Sequence, residues 1–205
     1  MTTKYTAGEF TQLYGSCDLL WSDITSVQCT ERDEYIDVVT YYGDIVASTF
    51  SIIFHEGQWK KHGEFDWTQD SVHHLSYFRY GKLHREDGPA ITSYIWGNLF
   101  YRRWYKNGIQ HREDGPAFEK WHDDGKLEEQ IWYLNGLKHR EDGPAYLYWY
   151  SSGVLNVSRW HHNDICHREG GPACSIYTPD GKLVSTEWYY NGKMYEPVLT
   201  KRALF

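Results

Sequence analysis

The sequence predicts a mostly all-β protein: an elongated antiparallel meander of two-stranded repeats of about 28 residues, opened by a short N-terminal helix and a β cap. Three observations carry that reading. The block His-Arg-Glu-Asp-Gly-Pro-Ala recurs at residues 84–90, 111–117 and 139–145, and a fourth copy at 167–173 differs only by Gly170 in place of Asp. Two further markers keep the same phase: Trp104, Trp132, Trp160 and Trp188, and the glycines Gly97, Gly125, Gly153 and Gly181, each followed two residues later by leucine. Self-similarity at one period is the mark of a repeat architecture. The third observation is composition, with 18 Tyr, 10 Trp and 18 Gly among 205 residues, a mixture suited to half-buried pleated surfaces broken by turns.

Taken in chain order, Thr6 and Glu9 have capping-box spacing, and Phe10, Leu13 and Tyr14 fall at helical intervals, so a short helix opens near Ala7. Residues 34–42 and 44–54 carry β-formers such as Ile36, Val38, Val39, Ile52 and Ile53, and 59–67 is a third strand. Residues 1–76 lack the block and read as a cap over the first edge of the repeat sheet, or as a small α+β segment. Residues 77–197 hold four and a half β-hairpin repeats, and 198–205 form a tail. Within a repeat, the chain from Ala117 to His122 is a strand, Asp123-Asp124-Gly125 turns it, and Leu127 to Leu134 returns. Asn107-Gly108, Asn135-Gly136 and Asn191-Gly192 are signals for type I′ turns, which need positive φ at both central residues. Proline cannot donate to a ladder, so Pro89, Pro116, Pro144 and Pro172 stand at strand entrances.

The stretch Trp-Tyr-x-Asn-Gly-x-x-His at 104–111, and its counterpart at 132–139 with Leu134-Asn135-Gly136, resembles the MORN (membrane occupation and recognition nexus) repeats. The Arg-Glu-Asp-Gly-Pro-Ala continuation departs from that family's shorter Gly-rich turn. It is similar instead to a His-Arg-Glu-Asp-Gly-Pro-Ala repeat type found in bacteriophage and giant-virus proteins. The resemblance covers roughly residues 77–197. It implies a β-repeat fold and a viral protein that binds and blocks a host factor, such as a defence system.

Charge and composition bound the function. The net charge is −7 and the pI near 5.9, so phosphate backbones and anionic membrane surfaces are unfavourable partners, and a protein with a basic surface is favoured. No basic run exceeds Lys60-Lys61 or Arg102-Arg103. Residues 1–6 offer no apolar leader core, and no window approaches 18 apolar residues, so neither a signal peptide nor a membrane span is expected. Cys17, Cys29, Cys166 and Cys174 form no Cys-x-x-Cys pair; reduced thiols in a cytoplasmic protein, with no cofactor, are the expectation.

The block offers imidazole, guanidinium and carboxylates within four residues, which raises catalysis or metal binding. Equivalent residues of adjacent two-stranded repeats should lie roughly 9–10 Å apart, too far for imidazoles to share a zinc with bonds of about 2.0–2.1 Å. His84, Arg85, Glu86, Asp87, His111, Arg112, Glu113, Asp114, His139, Arg140, Glu141, Asp142, His167 and Arg168 are therefore read as a structural turn. There Asp would accept backbone N–H groups, Gly would take a positive φ, and Arg would pair with Glu of the next repeat at about 0.2–1 kcal/mol per pair. Trp104, Trp132, Trp160 and Trp188 are read as a packing spine, each costing about 3–5 kcal/mol to truncate if buried. No catalytic, cofactor or metal residue is assigned. His161, His162 and His167 beside Cys166 form the densest imidazole cluster, but no second ligand pair stands at ligand spacing.

Tyr146 to Tyr150 places aromatics on both faces of a strand. Such a surplus points to a partner, since Tyr and Trp are favoured at interfaces. The partner-binding candidates are Tyr94, Trp96, Trp121, Tyr146, Tyr148, Trp149, Tyr150 and Tyr177. The reading is thus a non-enzymatic protein-binding repeat protein. One alternative is a ligand-binding or hydrolytic site between the N-terminal segment and the sheet, using Glu56, His62, Glu64, Asp66, His73 and His74. The other is a self-associating scaffold or virion component.

Overall fold

The computed structural model describes residues 1–14 and 24–196; Cys17 and the tail at 198–205 lie outside them. The chain divides into two compact units, Met1–Ile109 and Gln110–Phe205, and both are antiparallel meanders. No helix among the described residues is long and apolar enough to cross a membrane.

The first unit contains β1 (Thr2–Thr6), α1 (Ala7–Tyr14), β2 (Ser26–Glu31), β3 (Ile36–Tyr42), β4 (Ile45–His55), β5 (Gln58–Gln69) and β6 (Val72–Arg79). It continues through β7 (Lys82–Leu83), β8 (Ile91–Ile95), β9 (Asn98–Arg103) and β10 (Tyr105–Lys106), with β11 (Ile109–Gln110) at the boundary. Its strands pair in the order β1-β2-β3-β4-β5-β6-β8-β9, and β7 folds back on β6. Position 76, where the block-free segment ends, falls inside β6. The expected helix is α1, closed by a reciprocal capping box: Thr6 N–H donates to Glu9 Oε2 at 2.7 Å, and Glu9 N–H donates to Thr6 Oγ1 at 3.2 Å. Strands β1 and β2 carry no strong apolar alternation flanked by turn signals, and the sequence reading passes over them.

Alternation decides the face that α1 covers. Cys29, Val38, Phe50 and Phe65 form one cross-strand row, and all are buried. Val27, Ile36 and Ile52 join them, and Phe10 of α1 seals the cluster at 0% exposure. Thr40 and Ser48 sit in the same layer and satisfy each other, hydroxyl to hydroxyl at 2.7 Å. The block-free segment therefore holds a hydrophobic core of its own.

The second unit contains β12 (Phe118–Trp121), β13 (Leu127–Ile131), β14 (Tyr133–Leu134), β15 (Leu137–Lys138), β16 (Tyr146–Trp149) and β17 (Leu155–Arg159). It ends with β18 (His161–His162), β19 (Ile165–Cys166), β20 (Cys174–Tyr177), β21 (Leu183–Glu187), β22 (Tyr189–Tyr190) and β23 (Lys193–Met194). One sheet runs β12-β13-β16-β17-β20-β21, and three two-stranded ribbons, β14-β15, β18-β19 and β22-β23, leave it once per repeat. Each main hairpin carries a bulge where its aromatic stands: at Trp121, Trp149 and Tyr177, paired with Leu127, Leu155 and Leu183. Among the described residues Cys29, Cys166 and Cys174 are free thiols.

The Trp of each repeat is a backbone junction rather than a buried spine. Trp132 N–H donates to Ala145 O at 2.9 Å, and its carbonyl accepts His139 N–H at 3.2 Å. Trp160 repeats both bonds with Ala173 and His167. The sheet strand ends there and the ribbon begins. The indoles are only half-buried; the position sealed in every copy is the alanine that ends the block, with Ala90, Ala117, Ala145 and Ala173 all at 0%.

Candidate functional site

Each block is a self-braced loop. Arg85, Arg112 and Arg140 donate from Nε to Asp87, Asp114 and Asp142 of their own block at 2.7–2.9 Å. Arg112 and Arg168 also donate to the carbonyls of Pro116 and Pro172. The guanidinium of Arg140 lies 4.2 Å over the Trp132 ring, and that of Arg168 lies 4.3 Å over Trp160. The bond these arginines share lies within their own loop, because the i+2 carboxylate stands within reach of Nε. One expectation is corrected here. The block glycines Gly88, Gly115, Gly143 and Gly171 are absent from the positive-φ set. The guanidinium packs close to them: a Cβ on Gly143 would meet Arg140 Cζ at 2.6 Å, so the arginine would have to shift.

The block histidine ties one repeat to the next. In the first unit, Asn107 N–H donates to His84 Nδ1 at 3.0 Å. In the second, Asn135 and Asn191 do the same to His111 and His167, both at 3.0 Å. The following glycine amide donates to the end of the preceding ribbon, Gly136 to Gln110 O and Gly192 to Cys166 O, each at 2.9 Å. The Asn-Gly pairs have φ of 52° and 84° at Asn135-Gly136, as a type I′ turn requires. With Nδ1 accepting, His84 and His111 carry their proton on Nε2, facing Glu86 at 3.4 Å and Glu113 at 3.2 Å.

These loops hold their carboxylates outward. Arg85, Arg112 and Arg140 keep the Asp87, Asp114 and Asp142 carboxyls below the usual range. In the second unit a groove of about 470 Å³ runs between two consecutive blocks, lined by Arg112, Asp114, Trp132, His139, Arg140 and Glu141.

The aromatic candidates differ in where they stand. Tyr94, Trp121, Tyr146, Tyr148, Trp149, Tyr150 and Tyr177 are all half-buried. Tyr150 donates its hydroxyl to Tyr177 O at 3.1 Å. Burial, with Glu129 beside it, pushes the Tyr146 phenol up to about 12, and burial likewise raises Glu129 above its ordinary 4.5. A raised carboxyl holds its proton to higher pH in the folded chain, so it removes stability as pH rises from 4.5 through the raised value. Glu129→Gln, which keeps an acceptor for Tyr146, is expected to raise stability at neutral pH and flatten that part of the profile. Denaturation of both proteins at pH 4 to 8 checks the expectation.

Trp96 alone among the eight is strongly exposed, at 76%. The first repeat is one residue shorter than the later ones, and the missing residue falls in this hairpin: Trp96-Gly97 stands where Asp123-Asp124-Gly125 stands in the next copy. A two-residue I′ turn results, with Trp96 at φ 49°, a region that a bulky side chain enters only at a cost. The meander puts the turns after β3, β5 and β8 at the same end of the first unit. There Trp96 N–H donates to Ser71 O at 2.8 Å, next to Asp70. A groove of about 350 Å³ opens on the far side of Asp70, lined by Ile24, Tyr42, Ile45, Val46, Trp67 and Asp70 among others, Trp96 not included. Ile45 is 70% exposed and Tyr42 60%.

The polar residues of the alternative reading do not line this groove. Asp66 pairs with His73 at 2.8 Å, Glu64 accepts from Tyr77 at 2.7 Å, Glu56 accepts from Lys60 at 2.8 Å, and His74 stacks on Trp67. His62 Nδ1 lies 3.5 Å from the Tyr80 amide. No protein-family model matches the chain, and no curated protein matches it. The sequence signal for the exposed end was the 27-residue spacing of the first two blocks.

Proposed function

We propose that the protein is a non-enzymatic binding protein that grips a protein partner with the exposed apolar end of its first unit. The observation that carries this reading is Trp96, a large ring presented to solvent on a backbone conformation that its own side chain disfavours. Strain of this kind persists where the surroundings enforce it, and it collects at ligand contacts. Exposed Trp96, at the same end of the unit as the exposed Ile45, Val46 and Tyr42, supplies apolar surface of the kind interface hot spots use. Asp44 and Asp70 at the turns supply an acidic margin, and the net charge of −7 favours a basic partner surface. The repeat resemblance suggests that the partner is a host protein, a defence factor included, which binding would block.

Affinity capture followed by oxidative footprinting tests the reading. The captured complex should protect Trp96 and Tyr42 from oxidation while the second unit's acidic loops stay as reactive as in the free chain. Protection confined to the second unit would overturn it. Sedimentation over a range of concentrations separates it from self-assembly, which would shift the free chain's mass.

A further inference from the structure

We propose that His139, Glu141 and His162 form a site for one divalent transition metal ion of the zinc or cobalt type. One donor atom from each lies within 4.8 Å of the others, and the two imidazole rings are 4.7 Å apart at their centroids. Four-coordinate zinc with bonds of about 2.0–2.1 Å needs donors roughly 3.3 Å apart, and His139 Nε2 already stands 3.4 Å from Glu141 Oε1. Glu141 and His162 are exposed, so their side chains can close the remainder by rotation.

The spacing argument that separates equivalent histidines does not reach this pair, because its members are not equivalent. His139 belongs to a block, and His162 to the ribbon of the following repeat, which docks on that block. At the position of His162 the other copies have Lys106, Leu134 and Tyr190. The turn differs as well, with Asn163-Asp164 where the siblings have Asn-Gly. Elsewhere the block histidine accepts a backbone N–H at Nδ1. Here His139 Nδ1 meets the side-chain oxygen Asn163 Oδ1 at 3.0 Å, and Asp164 Oδ1 takes the Lys138 amide at 2.9 Å.

That exchange changes the chemistry of the ring. An amide oxygen only accepts, so the His139 proton sits on Nδ1 and the Nε2 lone pair points toward the Glu141 carboxylate. Two electron-rich atoms facing each other at that distance make a favourable seat for a cation. Metal-bound imidazoles characteristically donate their other N–H to an oxygen acceptor, which fixes tautomer and orientation. Asn163 provides that acceptor, and no sibling turn does. His167, its ring 6.2 Å from His162, keeps Nδ1 occupied by Asn191 N–H, so the fourth position is left to water.

The test uses the untagged full chain, titrated with Co²⁺ under visible absorption and with Zn²⁺ by calorimetry. One equivalent should bind, with the d–d bands of tetrahedral cobalt. His162→Leu, which installs the Leu134 side chain, and Glu141→Gln should abolish stoichiometric binding with an unchanged far-UV circular dichroism spectrum. Asn163→Gly suits the positive φ of 51° but removes the acceptor, so affinity should fall about 10–100-fold. His55→Gln, remote in sequence and on the first unit, should leave binding as it was. Absence of one-equivalent binding by the wild-type chain would overturn the proposal. So would binding that survives both His162→Leu and Glu141→Gln.

Discussion

Trp96→Asn should make the protein more stable and unable to hold its partner. Asparagine is the residue that a type I′ turn favours at this position, whereas an indole at φ 49° stores strain on the order of 1 kcal/mol. Little packing is lost, since 76% of the Trp96 surface faces solvent, and the bond to Ser71 O comes from the backbone. The melting temperature should rise by about 2–4 °C per kcal/mol released in a chain of this size. Partner affinity should fall at least about 30-fold, the equivalent of a 2 kcal/mol hot spot. Tyr80 provides the contrast. It has the same kind of backbone, φ 50° before Gly81, but its ring stacks on His55 at 4.2 Å. Tyr80→Asn therefore exchanges strain for a lost contact and should bring no such gain. Thermal melts with binding titrations on both variants separate the two cases, and a Trp96→Asn protein that binds like wild type would remove the proposed surface.

Phe10→Ala is expected to have the largest effect on stability. Phe10 is fully buried, lies 4.8 Å from the Tyr14 ring, and closes the layer formed by Val27, Val38 and Ile52. Removing a buried phenyl ring costs about 3–5 kcal/mol in transfer and cavity terms. The half-buried indole of Trp132 should cost less on truncation, even though its spacing makes it the more conspicuous residue. Chemical denaturation of the two variants ranks them. A larger loss for Trp132→Ala would return the spine to the tryptophans.

The repeat period, the meander, the capping box at Thr6 and Glu9 and the I′ turns were legible, because each depends on a few residues at fixed short spacing. What escaped depended on three-dimensional approach. Gly143 looks like any turn glycine until Arg140 is seen passing beneath it, and Ala145 is too small to announce itself as the sealed position. The block's internal Arg–Asp brace was open to reading as a link between repeats, since either partner is an acid at plausible range. Strands β1 and β2 were missed because β1 buries no side chain and β2 only two, Val27 and Cys29, too short an alternation to stand out in a polar stretch. The candidate site was visible as Trp96 by name, but only the hairpin geometry distinguishes it from the other seven aromatic candidates. The juxtaposition of His139 and His162 follows from docking between repeats, which no local spacing encodes.

That docking has a direction. In the second unit, the turns at Asn135-Gly136 and Asn191-Gly192 rest on groups that precede them in the chain: His111 and Gln110 for one, His167 and Cys166 for the other. Every seat is made before the part that will occupy it. The groups that seat each ribbon turn are thus synthesised before the turn itself, an order that suits repeat-by-repeat assembly of the chain.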